Sequence, residues 1–270
     1  MMESNLETTR CHNFGRGRYR SRGQDRHPNI MVSQVLLFPS RRPGRILNWK
    51  TGNQHANDLF GDAIIYKDPG PTRILFQNVK GLSSTASCKD YKYFLSAMSS
   101  YSVDVDGMAE TNTGWHHRHL QDEFKSCVKK QFQIGKSVFG YPCEEIDPLP
   151  VKESFQAGGS LQVVRGRLTT TVTQSPILDK SGLGRWCGFT FIGKSGQQFS
   201  VITGYRSCSG SILSASLGST FHREYNYLRQ QGVKSPHPRS SFLKDLSATV
   251  FQLQHQEHEI LLMMDANATV

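Results

Sequence analysis

The sequence predicts a layered α/β or α+β domain, because apolar runs of strand length alternate with longer stretches whose apolar residues recur at helical spacing. A second observation says where chemistry would sit. Three of the apolar runs end in polar residues, at Asn78, at Glu110, and at Asp265 with Asn267. If those runs are neighbouring strands, their polar ends converge on one edge of a sheet.

The elements follow in chain order. From Met1 to about Pro71 no apolar period is sustained, and Gly15 to Gly23 reads Gly-Arg-Gly-Arg-Tyr-Arg-Ser-Arg-Gly. Residues 1–71 are therefore predicted to be a disordered basic tail, and 72–270 the domain. Arg-Gly-Tyr mixtures can track a phosphate backbone and stack on bases. The plainer reading is a solvated, self-repelling tail.

Order is predicted to begin at Arg73-Ile-Leu-Phe-Gln-Asn-Val, a buried strand running into a turn at Lys80-Gly81. Tyr91, Phe94, Leu95, Met98 and Tyr101 then share one helix face. Val103 to Glu110 reads as a strand delivering an acid at its C-terminal end. Further strands are predicted at Ser160–Leu168, Thr169–Thr173, Trp186–Gly193 and Gln198–Tyr205, separated by glycine-containing breaks typical of an antiparallel sheet. Two helices follow, through Phe221, Tyr225 and Leu228, and through Leu243, Leu246, Val250 and Leu253. Glu259 to Met264, continuously apolar from Ile260 on, is expected to be a central buried strand ending in Asp265-Ala266-Asn267.

Composition narrows the partners. The hydrophobic share of 37% excludes a wholly disordered chain, and a net charge of +10 favours polyanionic partners, nucleic acid first. The six cysteines lack the close spacing of a zinc knuckle or redox pair and read as reduced thiols. Neither a leading signal nor a membrane-length apolar run is present, so the expectation is a soluble intracellular protein without membrane contact. The nucleus is favoured because the presumed substrate is there.

Hydrolysing a phosphodiester means bringing water onto phosphorus while charge grows on oxygens that are already negative. A divalent cation handles that charge, and Mg²⁺, or Mn²⁺ in its place, takes hard oxygen ligands. Glu110 is the metal-ligand candidate. Asp265 would accept the water's proton. Asn267 would hold Asp265 and a phosphate oxygen, Asn78 would orient Glu110, and Tyr205 would donate to the phosphate. Each has a duller reading: Asn78 as turn chemistry, Glu110 as a solvated strand end, Tyr205 as a strand tyrosine, and Asn267 as part of a glycosylation-type Asn-Ala-Thr triplet. His116, His117 and His119 lack zinc-helix spacing and are expected to be exposed.

In order, Ile74-Leu-Phe-Gln-Asn-Val-Lys-Gly81, Asp104-Val-Asp-Gly-Met-Ala-Glu-Thr111, Val201-Ile-Thr-Gly-Tyr-Arg206 and Leu261-Leu-Met-Met-Asp-Ala-Asn267 resemble the motifs of the endonuclease/exonuclease/phosphatase superfamily. Its members include deoxyribonuclease I, abasic-site endonucleases and the endonuclease domains of non-LTR retrotransposons, the last being the nearest in kind. The resemblance implies a four-layered sandwich of two packed, mostly antiparallel sheets flanked by helices. It assigns Asn78, Tyr205, Asp265 and Asn267 as catalytic, Glu110 as metal ligand, and Arg206 as a substrate contact beside Tyr205.

Two departures are visible. Lys80 stands where several repair enzymes carry an acid, which bears on any second metal. The family's last strand, with an Asp-His pair, is not reached before Val270, so the expectation is a C-terminally incomplete domain with little or no catalysis. The function implied is Mg²⁺-dependent DNA endonuclease activity of a retrotransposon-like element. The alternatives are a phosphatase of the same fold acting on phosphoinositides or small phosphate esters, and a non-catalytic nucleic-acid-binding remnant.

Overall fold

The computed structural model describes residues 35–37, 72–82, 89–146, 153–208 and 218–267, whose strands form two mixed sheets. The first has the order β2 (Ile74–Asn78), β3 (Val105–Ala109), β5 (Ser160–Arg165) and β4 (Gly135–Gly140). The second runs β1 (Val35–Leu37), β9 (Glu259–Asp265), β8 (Gln198–Tyr205), β7 (Trp186–Ile192) and β6 (Ile177–Leu178).

Most pairings are antiparallel, as expected, but β2 with β3 and β8 with β9 are parallel. A parallel pair needs a long crossover. Helix α1 (Lys89–Ser100) supplies the first, and α3 (Thr220–Gln230) with α4 (Pro238–His255) the second. Both parallel pairs therefore present C-terminal strand ends together, which is where the sequence places its polar residues. Strand β1 falls inside the expected 1–71 tail and pairs antiparallel with β9, Leu36 opposite Leu262. The rest of that expectation lies outside the described residues.

Strand alternation sorts the side chains into layers. Phe76, Val105, Ala109 and Val164 meet Phe189, Val201, Leu261 and Met263 between the sheets. On the outer face of the first sheet, Met108, Leu161 and Val163 pack under Tyr91, Leu95 and Met98 of α1 and Leu120, Phe124 and Val128 of α2 (Arg118–Phe132). On the outer face of the second, Ile202, Leu262 and Met264 pack under Phe242, Leu246, Val250 and Leu253 of α4. The result is helix, sheet, sheet, helix. Each fully buried large apolar side chain contributes about 1.5–3 kcal/mol, so the layers hold mainly by burial.

Close approach of the sheets depends on Gly107. A Cβ there would lie 2.4 Å from Thr203 Oγ1 and 2.6 Å from Met263 Cε, both on the opposite sheet. Asp106 points the other way, toward the helices, and is fully buried with Gln77 Nε2 donating at 2.9 Å. Burial pushes its carboxyl up to about 8, the Gln77 bond opposing.

Several sequence expectations need correction. The strand from Ser160 stops at Arg165, and the predicted strands over Leu168 and Thr169–Thr173 are replaced by a 3-10 turn at Gly166–Thr170. Gly166 has φ +65°, and the hydroxyls of Thr169, Thr170 and Thr171 each donate to a carbonyl three residues back, which favours a turn over a ladder. Leu243 is 46% exposed, and its neighbour Phe242 takes the buried position. His116 and His117 are half-buried, so of the three histidines only His119 is exposed as expected. Helix α2 and strand β4 carry no sequence expectation at all. Among the described residues no helix is long and apolar enough to cross a membrane.

Candidate active site at the shared end of the two sheets

Register places the site. Asn78 closes β2 opposite Ala109, the residue before Glu110, and Tyr205 closes β8 opposite Asp265 at the end of β9. Asn78, Tyr205 and Asp265 continue the alternation of Phe76, Val201 and Met263, so all three face the gap between the sheets. Four residues from four strands, two per sheet, meet at one rim.

Asn78 ties them together. Its Nδ2 donates to Glu110 Oε2 at 2.8 Å and to Asp265 Oδ2 at 2.6 Å, while its Oδ1 accepts the Lys80 backbone N–H at 2.9 Å. The last bond is a local turn, so the plain reading of Asn78 is also correct: one side chain shapes the turn and bridges two acids.

Glu110 has φ +56°, a left-handed conformation that a non-glycine residue keeps only when its surroundings impose it. Those surroundings are visible. Thr111 and Asn112 donate backbone N–H groups to Gly159 and Gly158 at 3.3 and 2.7 Å, and Asn112 Oδ1 accepts the Gly158 N–H at 2.7 Å. Gly159 has φ +82°, and a Cβ on it would lie 2.8 Å from Thr111 Oγ1.

Asp265 is held from its own loop, its Oδ1 accepting the Asn267 N–H at 3.1 Å. Asn267 Nδ2 donates to Arg206 O at 2.5 Å and its Oδ1 accepts the Cys208 thiol at 3.3 Å. Arg206 N–H donates to Asp265 O at 3.0 Å. Tyr205 is 6% exposed, and its phenol is pushed up by burial first and then by the negative charge of Glu110 and Asp265. It therefore stays a proton donor at any ordinary pH. Arg206 has a buried Nε without a hydrogen-bond partner, and burial together with the Arg239 guanidinium lowers its proton affinity.

The donor set fits a hard divalent cation. Two carboxylates share one neutral amide, and among the described residues no lysine or arginine forms an ion pair with either of them. Like charges so placed repel, and a cation would relieve the repulsion. Among the described residues no cluster of three or more His, Cys, Asp and Glu stands ready as a closed cage. Carboxylate oxygens are the donors that a hard divalent cation takes, usually with water completing its shell.

The structure thus brings Asn78, Glu110, Tyr205, Asp265, Asn267 and Arg206 to one rim. Sequence reasoning missed Ser207, Cys208, Glu224 and Arg239, which buttress it. Ser207 Oγ donates to Glu224 Oε2 at 2.9 Å, and Arg239 donates to Ser207 O and Asn267 O at 3.1 and 2.8 Å. No periodicity or motif marks these residues. A cavity of about 390 Å³ lined by Lys125, Phe139, Tyr141 and Trp186 touches none of the rim residues.

No family model matches the chain, and no curated protein does. Among solved structures it is similar to the human Nocturnin catalytic domain with bound sulfate anion, at 14% identity and a TM-score of 0.43, covering 74% of this chain and 65% of that one. It is also similar to D. rerio TDP2 complexed with single strand DNA product, at 13% identity and a TM-score of 0.37, covering 74% of this chain and 62% of that one. A third is an endonuclease/exonuclease/phosphatase family protein from Leptotrichia buccalis, at 10% identity and a TM-score of 0.31, covering 59% of this chain and 63% of that one. The chain spans less than two thirds of each of these three proteins.

Proposed function

We propose that the rim is a divalent-metal-dependent phosphodiesterase site of the endonuclease/exonuclease/phosphatase type, and that its substrate is DNA. The observation that supports this most is the Asn78 amide joining Glu110 and Asp265, acids 155 residues apart in the sequence, at 2.8 and 2.6 Å. Chance surface polarity does not bring two acids from different sheets onto one donor. A net charge of +10 supports a polyanionic partner.

Glu110 would hold the cation, Mg²⁺ or Mn²⁺, which when bound neutralises charge on the phosphate oxygens. Asp265 accepts the proton of the attacking water, its second oxygen steered by the Asn267 N–H. Asn78 keeps the acids in register. Tyr205, protonated, donates to a non-bridging oxygen as its charge grows. Arg206, whose Nη1 reaches Ala266 O at 3.4 Å, would hold the anion from the side with its guanidinium.

On the motif resemblance we extend the reading to an endonuclease of a retrotransposon-like element, in a domain over residues 72–270, working within the cell. The test is plasmid nicking in Mg²⁺ with EDTA and Glu110→Ala controls. Nicking that survives both controls would overturn the site. A salt series decides the substrate class, because DNA affinity falls steeply with salt through counterion release whereas a small phosphate ester shows a shallow slope. A shallow slope would move the substrate to a small ester, and tight binding without turnover would leave a nucleic-acid-binding protein.

A further inference from the structure

We propose that Arg239, the second residue of α4, is a positioning residue that fixes the two loops following Tyr205 and Asp265 into one rim; this rests on the reading of that rim as a phosphodiesterase site. Its Nη1 donates to Ser207 O at 3.1 Å and its Nη2 to Asn267 O at 2.8 Å. Each carbonyl belongs to the loop that follows one of the parallel strands. The planar guanidinium holds its N–H groups at fixed angles, so it sets the separation of the two loops as well as joining them.

The need for such a strut is geometric. The β8–β9 ladder ends at Tyr205 and Asp265. Beyond it the loops are linked by Arg206 N–H to Asp265 O at 3.0 Å, by Asn267 Nδ2 to Arg206 O at 2.5 Å and by the Cys208 thiol to Asn267 Oδ1 at 3.3 Å. Asn267 stands at φ +44°, a left-handed conformation that asparagine adopts more readily than most residues and that turns its carbonyl out of the ladder. Arg239 reaches it from a firm base, since Pro238 sets the helix start and His237 Nδ1 accepts the Ser240 N–H at 3.3 Å. Among the described residues no carboxylate pairs with Arg239, and its guanidinium lies near that of Arg206. Its polar contacts are spent on backbone carbonyls, the signature of a strut and not of a surface ion pair.

Cys208 reports on the loops without requiring turnover. Its thiol is exposed yet tied to Asn267, whereas Cys127 and Cys187 are buried in the cores. Alkylation by iodoacetamide, read cysteine by cysteine by mass spectrometry, is measured on the full chain and on Arg239→Met and Arg239→Lys. Taken at the high-pH plateau of its rate profile, because the Arg239 cation also favours the Cys208 thiolate, the Cys208 rate is expected to be roughly tenfold faster in Arg239→Met as the loop opens locally, with Cys127 and Cys187 unchanged. Arg239→Lys should fall between, because one ammonium cannot hold both carbonyls. In the nicking assay Arg239→Met should lower kcat on the order of 100-fold and leave KM nearly unchanged, the pattern of misplaced groups. An unchanged Cys208 rate in both variants would overturn the proposal, as would Cys127 and Cys187 opening together with Cys208 in both. A wild-type chain that neither nicks nor shows a Mg²⁺-dependent rise in melting temperature sinks the phosphodiesterase reading, while the alkylation rates still decide Arg239.

Discussion

Glu224, 1% exposed on α3, accepts the Ser207 hydroxyl at 2.9 Å through Oε2, and its Oε1 has no hydrogen-bond partner. Burial pushes its carboxyl up from 4.5 to about 7, against the pull of Arg185 and the Ser207 bond. An acid with a raised pKa binds its proton more tightly when folded, so it favours folding below about pH 4.5 and loses that contribution as pH climbs through about 7. Asp106, pushed up to about 8, acts in the same direction over a slightly wider window. Unfolding free energy from urea melts should therefore fall between pH 5 and 8. Glu224→Gln, which keeps an acceptor for Ser207, should flatten that fall on the order of 1–3 kcal/mol. Equal slopes in wild type and variant would show that Glu224 is ionised throughout.

Arg185 and Asp179 form a buried pair, Nε to Oδ2 at 2.6 Å with both side chains 1% exposed, and Arg185 also reaches Asp245 at 2.8 Å. Removing one partner leaves the other charge in the interior. Asp179→Ala should cost about 3–5 kcal/mol, whereas Asp245→Ala, whose side chain is 39% exposed, should cost about 1 kcal/mol or less. Chemical denaturation of the two variants side by side checks the order.

Gly107→Ala places a methyl where Thr203 and Met263 already stand, at 2.4 and 2.6 Å. Overpacking of this kind costs about 1–3 kcal/mol. Because the Thr203 and Met263 side chains, or the sheets that carry them, must shift to admit it, metal-dependent nicking should fall more than the loss of stability alone explains. Activity measured well below the melting temperature separates the two effects.

Asn78→Ala leaves Glu110 and Asp265 facing each other without their shared donor. Stability in EDTA should drop about 1–2 kcal/mol, and millimolar Mg²⁺ should restore more of it than it adds to the wild type. Glu110→Gln should abolish the Mg²⁺-dependent rise in melting temperature altogether. A rise of equal size in all three proteins would place the cation elsewhere.

Much of the fold is legible because burial writes itself into the sequence. The Glu259–Met264 run can only be an interior strand, and β8 begins and ends where its pattern does. The polar strand ends at Asn78, Glu110 and Asp265 are legible for the same reason, since a carboxylate directly after an apolar strand has few uses in a core. What stays hidden is contact made by single polar atoms at distance. Arg239 sits in an ordinary helix start, and nothing local foretells that its guanidinium spans Ser207 and Asn267. Helix α2 hides differently: its buried stripe of Leu120, Phe124, Cys127 and Val128 is diluted by lysines and histidines. The 3-10 turn after Arg165 depends on hydroxyls competing for carbonyls, which strand propensity does not register.

Asn78 and Glu110 arrive on one sheet, Tyr205 and Asp265 on the other, and neither half holds an acid pair alone. Any reactivity at their meeting point is consequently an all-or-none property of the finished molecule. A nascent or half-melted chain, with one layer assembled and its partner still loose, does not hold the four groups together.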